Sequence, residues 1–143
     1  MRVRKKVEIP CWVNSIDNTL VERIWKLQPD KFARVHYYDN ERRTYYIWME
    51  TPRDKDGWGT DILWMILYVR IDDMSFEDVL SALKKDKMFQ QVMLDVINYV
   101  VDMINANVCL AQEKSDEDFH GFKAKWLSED SLPDLLEDGW EEV

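Results

Sequence analysis

Residues 61–104, DILWMILYVRIDDMSFEDVLSALKKDKMFQQVMLDVINYVVDMI, place the longest apolar strand pattern of the chain directly before its longest apolar helix pattern. Ile62 to Ile71 is broken only by Arg70 and is apolar at both alternating sets of positions, which predicts a central strand covered on both faces. Asp72 and Asp73 stop it. Ser75 is placed to cap a following helix, with Asp78 at the third helical position and Met74 and Val79 as a hydrophobic staple across the cap. Phe76, Val79, Leu80 and Leu83 then recur at helical spacing. After the charged break at Lys84, Lys85 and Asp86, the period resumes through Phe89, Val92, Met93, Val96, Ile97, Val100 and Ile104. This half reads as a helical hairpin or one bent helix, with Asn105 and Asn107 as its nearest end signals.

Working outward toward the N-terminus, Phe32 to Tyr38 and Arg43 to Glu50 flank the polar turn Asp39-Asn40-Glu41-Arg42 and are rich in Tyr, Val, Ile, Trp and Thr, a β-hairpin pattern. Short connections then make 32–38, 43–50 and 61–71 an antiparallel meander. A short helix is expected over about 19–27, with Leu20, Ile24 and Leu27 inward. Val3, Lys5, Val7 and Ile9 alternate with Arg2, Arg4, Lys6 and Glu8, which predicts a charge-protected edge strand ended by Pro10. Toward the C-terminus, Phe119, Phe122, Trp126 and Leu127 have helical spacing, and Leu132, Leu135, Leu136 and Trp140 form a second small amphipathic stretch among acids. The expected fold is α+β: an antiparallel β-meander sheet of about four strands packed on a long C-terminal helix, with a short N-terminal helix and an acidic helical tail. Residues 1–114 form one domain in this reading, and 115–143 an acidic amphipathic tail packed on it.

A chain of 143 residues with 46% apolar content, seven Trp and six Tyr has enough material for one core and does not resemble a disordered segment. Cys11 and Cys109 are too few and too far apart for a disulfide scaffold, so a reducing cytoplasm is the expected location. No uninterrupted apolar run reaches about eighteen residues, so no membrane span is expected. The basic N-terminus has no apolar run before Pro10, unlike a secretory signal.

Charge is unevenly distributed within the net −9. Residues 1–53 carry 11 Lys/Arg against 7 Asp/Glu, residues 54–114 carry 6 against 11, and residues 115–143 carry 2 against 10. The acidic balance disfavours direct contact with nucleic acid or an anionic membrane and points to a basic or nucleic-acid-binding protein as partner. Opposite charge at the two ends also makes homo-oligomerisation an expectation.

Chemical motifs are sparse. With two His and two Cys, no local nucleophile–base pair is spelled out, and no CxxC, HxH or HExxH spacing suggests zinc. Asp54, Asp56 and Gly59 begin like a calcium loop, but Trp58 and Met65 stand where oxygen ligands are required. Gly57 and Gly59 lack the spacing of a phosphate-cradling loop. Neither a catalytic residue nor a metal or other cofactor is expected. Arg34, Arg42 and Arg43 among the hairpin tyrosines are candidates for contact with an anion. The leading expectation is a non-enzymatic acidic protein-interaction module: an adaptor, or an inhibitor of a basic or nucleic-acid-handling protein such as viruses use, with charge mimicry as one mode. Its partner-binding residues would be Phe119, Phe122, Trp126, Leu132, Leu135, Leu136 and Trp140. The alternative is a small apolar-ligand domain whose pocket lies between sheet and long helix, lined by Trp48, Trp64, Tyr68, Met93 and Val96.

Overall fold

The computed structural model describes residues 1–27, 34–51, 53, 55–115 and 117–143; Phe32 of the expected hairpin, Asp54 of the calcium-like loop and Asp116 of the acidic segment lie outside them. Four strands, β1 (Arg2–Trp12), β2 (Val35–Tyr38), β3 (Thr44–Glu50) and β4 (Ile62–Ile71), form an antiparallel sheet in the order β2-β3-β4-β1. The expected meander is present as β2-β3-β4. Asp39 closes its hairpin: the carboxylate accepts from the backbone N–H of Glu41 and Arg43 and from the Tyr45 hydroxyl. These bonds hold Arg42 at a left-handed φ of 62°. β1 returns to β4 with Val3 opposite Val69 and Ile9 opposite Leu63.

Helix α1 (Asn18–Lys26) starts where Asp17 accepts from the Leu20 N–H at 2.7 Å. Helix α2 (Phe76–Lys85) starts at Ser75, which accepts from the Asp78 N–H. Asp86 then breaks the helical path with an extended ψ of 98°. Its carboxylate accepts from the Phe89 N–H at 3.0 Å and from the Tyr37 hydroxyl at 2.9 Å, so the charged break caps helix α3 (Lys87–Ser115) and ties it to the hairpin. Burial and that carboxylate push the Tyr37 hydroxyl up to about 12.

Helix α3 continues well past the expected end near Ile104. Asn105 and Asn107, read from sequence as stop signals, sit inside the helix, and their side-chain amides serve backbone groups elsewhere. Asn105 accepts from the Ala124 N–H and donates to the Ala124 C=O, and Asn107 donates to the Leu27 C=O. One window of α3 has a mean hydropathy of 1.3, apolar enough by length and composition to cross a membrane. The uninterrupted-run criterion missed it, because Asp95 and Asp102 break the run without lowering the average far. Phe89, Met93, Ile97, Val100 and Ile104 of this helix are buried in the core, which accounts for the apolarity.

The core lies on one face of the sheet. Odd-numbered residues Tyr45, Ile47 and Met49 of β3 and Leu63, Met65, Leu67, Val69 and Ile71 of β4 are buried, together with Val3, Val7 and Ile9 of β1. They share one cluster with the buried faces of α1, α2 and α3. Even-numbered residues of β4 are only half-buried. The expectation that both faces of 62–71 are covered is therefore corrected. Ile62, Trp64, Ile66 and Tyr68 look as apolar as a core row, yet among the described residues no helix packs on Trp64, Ile66 or Tyr68, and Ile62 lines a groove with Leu127 and Leu135; neighbouring side chains of the same face shield the row in part.

Beyond α3 the helical spacing at Phe119–Leu127 is not realised as a helix. His120 and Gly121 turn the chain at φ of 53° and 72°, and it leaves the turn extended, with β5 (Lys123–Ala124) pairing Cys11 and Trp12. Asn98 locks this stretch to α3 by accepting from the Leu127 N–H at 2.8 Å and donating to the Leu127 C=O at 2.9 Å. A five-residue helix, α4 (Leu132–Leu136), starts with Pro133 in its first turn. The chain ends in β6 (Glu141–Glu142), which pairs Arg4 and Val3.

Candidate functional site

Two surfaces stand out. The first is the uncovered sheet face. Strand register sets even-numbered side chains in rows across it: His36, Tyr46, Arg70 and Arg2; then Trp48, Tyr68 and Arg4; then Glu50, Ile66 and Lys6; then Trp64 and Glu8. Trp48 and Tyr68 stack with planes 4° apart and centroids 5.1 Å apart, a cross-strand aromatic pair of the kind that stabilises a sheet by about 0.2–1 kcal/mol. Cations lie over three of the four rings. Arg2 is 5.4 Å from the Trp48 centroid, Lys6 4.6 Å from Trp64 and Arg70 4.7 Å from Tyr46. Arg70 is held by Asp72, and Arg4 by Glu141.

The second surface is the outer edge of β1. Beyond Arg4 and before Cys11 no strand pairs with it among the described residues, because β6 and β5 occupy only its two ends. Between them the chain from Lys125 to Gly139 arches away, leaving a groove of about 510 Å³ between the strand edge and α4. Lys5 holds the arch in place. Its ammonium donates to the backbone carbonyls of Asp134, Glu137 and Asp138 at 2.5–3.3 Å. Burial lowers its pKa, while the carboxylates of Glu137, Asp134 and Asp138 oppose that shift.

The residues named from sequence are redistributed by these facts. Phe119, Phe122, Leu135 and Trp140 are buried in the chain's own core, so the expected partner-binding set is corrected: its largest anchors are spent on folding. Leu132 and Leu136 pack partly against the same core. Only Trp126 is well exposed, at 62%, with its ring N–H on Asp102. The expected pocket is also corrected. Trp48, Trp64 and Tyr68 lie on the open face, whereas Met93 and Val96 are buried under the other, because side chains one residue apart in a strand point to opposite sides. Arg34 is exposed ahead of β2, Arg42 sits in the turn and Arg43 pairs with Glu41. With Asp39 at the centre of that turn, the three do not form an anion cradle. Sequence reasoning misses the sheet-face rows although 44–50 and 62–70 carry a period-2 signal, because apolarity on both faces of a strand does not say which face a helix covers.

The His and Cys side chains are apart. His36 packs edge-on against Tyr46, and His120 lies between Asp17 and Asp118 at 3.3 and 3.4 Å. Cys11 is buried, and burial together with the Asp61 carboxylate raises its thiol to about 11. Cys109 is exposed. A thiol reagent at neutral pH is accordingly expected to label one cysteine quickly in the native protein, Cys109, and the second only after unfolding. Rapid labelling of both would contradict the burial of Cys11.

The fold is an α+β domain whose sheet has one face covered by helices and the other, among the described residues, largely open. No family model, curated protein or solved structure matches the chain.

Proposed function

We propose that this chain is a non-enzymatic protein-interaction module whose docking surface is the uncovered sheet face. The observation that carries the reading is the composition and order of that face: Tyr46, Trp48, Trp64 and Tyr68 set among Arg2, Arg4 and Arg70. Trp, Tyr and Arg are the residues that dominate binding energy at protein interfaces, where rigid rings bury large areas at little entropic cost. The four cations of this face, Arg2, Arg4, Lys6 and Arg70, are set against Glu8 and Glu50 in the same rows and against Glu141 and Asp72 in ion pairs, so the face is mixed in charge and its rings carry the reading. The sequence-based expectation of a basic partner rested on the acidic charge balance, with the apolar residues of 115–143 as its contact set. Because Phe119, Phe122, Leu135 and Trp140 are buried, the contact proposed here is the sheet face instead.

Stacking of nucleic-acid bases is the less favoured use of the same face. Trp48 has Arg2 over it and Tyr68 stacked against it, while Trp64 and Tyr46 each already carry a cation. A base would have to displace these groups before it could stack.

The test is affinity capture from native lysate with the full chain and with Arg2→Glu/Trp48→Ser run side by side. Both substitutions are on the bare face, so the variant's melting temperature should stay within a few degrees of the wild type. A partner held by the wild type is expected to bind the variant at least ~30-fold more weakly, the loss that an interface hot spot of about 2 kcal/mol produces. Equal retention by a folded variant overturns the reading.

A further inference from the structure

The open edge of β1 carries a second inference, independent of the sheet face. Backbone N–H and C=O groups of one strand residue point to the same side, and successive residues alternate. Arg2 C=O accepts from the Val143 N–H, and Pro10 C=O from the Lys125 N–H, on the outer side; the Cys11 N–H donates to Asp61 C=O on the β4 side. Lys6 and Glu8 share the parity of Arg2 and Pro10. Their N–H and C=O groups therefore face the groove, where no strand pairs with them among the described residues. Pro10 ends the edge, having no N–H to offer.

The open window, Lys5 to Ile9, is about 17 Å long at strand rise, enough for one short strand. The groove is lined on the near side by Val7 and Glu8 and on the far side by Leu127, Leu135, Asp134 and Glu137. Its charged lining is Lys5, Lys6, Glu8, Asp134 and Glu137. The ammonium of Lys5 is used by the arch and that of Lys6 sits on Trp64, whereas Asp134 and Glu137 are exposed and in no salt bridge among the described residues.

We infer that the open edge of β1, between β5 and β6, takes up one extended segment of a partner protein as an added strand, with basic residues beside Asp134 and Glu137 and an apolar residue toward Leu127 and Leu135. Main-chain bonds to Lys6 and Glu8 supply the strand addition, and the acids and leucines select the side chains. The arch limits the site to a short segment, which also keeps the edge from open-ended sheet growth.

The test is selection from a randomised heptapeptide library on the full chain, followed by titration of the selected peptide. Selected sequences are expected to alternate apolar residues with Lys or Arg. Binding is expected to fall at least tenfold in Glu8→Pro. That substitution removes one outward N–H and leaves the β1–β4 ladder untouched, as Pro10 already shows at an equivalent position. Asp134→Lys/Glu137→Lys should lose the preference for basic peptides. Hydrogen exchange on the wild type provides a readout that needs no variant: the Lys6 and Glu8 amides should exchange fast alone and slow down with peptide.

Selection of no peptide, or peptides that leave those two amides unprotected, overturns the inference. So does a dimer of the wild type that Glu8→Pro dissolves, since a second copy would then own the edge. Arg2→Glu/Trp48→Ser should bind the peptide normally, so failure of the sheet-face reading and failure of this one are told apart.

Discussion

A chain ending at Lys114 is expected to lose its cooperative fold. Sequence alone reads residues 115–143 as an acidic amphipathic tail packed on a domain formed by 1–114. The structure makes its removal a cut through the core. It removes Phe119, Phe122, Ala124, Leu127, Leu135 and Trp140, all buried against the sheet and α3. It strips Asn98 and Asn105 of the backbone groups they serve, leaving two amides on a helix face that becomes bare. It also uncovers both ends of the β1 edge, where β5 and β6 now pair. Loss of a single buried Phe, Trp or Leu costs about 2–5 kcal/mol, and a whole domain is stable by about 5–15 kcal/mol, so the combined loss exceeds what the rest can supply. Far-UV circular dichroism and a thermal melt of the shortened chain decide the matter. A sharp transition near that of the full chain would show that the segment is an appendage after all.

The same contrast shows what the sequence made legible. Wherever one local signal acted alone, sequence and structure agree: Ser75 begins a helix, Asp39 sits in a hairpin turn, and Asp86 divides the long apolar helix. They part where a residue's partner is distant in sequence. Asn105 and Asn107 carry a local tendency to end helices, which is outweighed because their amides bind Ala124 and Leu27 across the fold. The spacing of Phe119, Phe122, Trp126 and Leu127 suits a helix, but the left-handed turn at His120 and Gly121 and the pull of Asn98 and Asn105 draw out an extended strap instead.

Surface assignment suffered most, for a related reason. Hydrophobicity reports that a side chain avoids water without saying what shields it. On β4 the even-numbered Tyr68 is shielded by the Trp48 ring and Trp64 by Lys6, whereas the odd-numbered residues are shielded by helices. Both rows read alike in sequence, so the bare face could not be told from the covered one.

Phe89→Ala is expected to cost about 3–5 kcal/mol, lowering the melting temperature by about 10–15 °C for a chain of this size. Phe89 is fully buried, and its ring meets Tyr45 edge-on at 4.7 Å and Tyr37 in a stack at 6.0 Å. Its N–H is also the group that Asp86 caps. The three rings join the hairpin to the start of α3, so truncation leaves a cavity that neither rigid element can close. Phe89→Leu, which keeps most of the volume, should cost less than about 1.5 kcal/mol, and the difference measures the ring contacts. The trio also has a pH signature. Because Tyr37 is held protonated up to about 12 when folded, against 10.0 ordinarily, the unfolded chain releases that proton first. The stability it contributes is complete below pH 10 and is lost as pH rises toward 12. Tyr45, raised in the same direction by burial and by Asp39, adds to the effect. In Phe89→Ala water reaches the Tyr37 hydroxyl, and its absorbance titration should move back toward the ordinary tyrosine range. An unmoved titration together with a cost below about 1.5 kcal/mol would show that the hairpin and α3 are held together by other contacts.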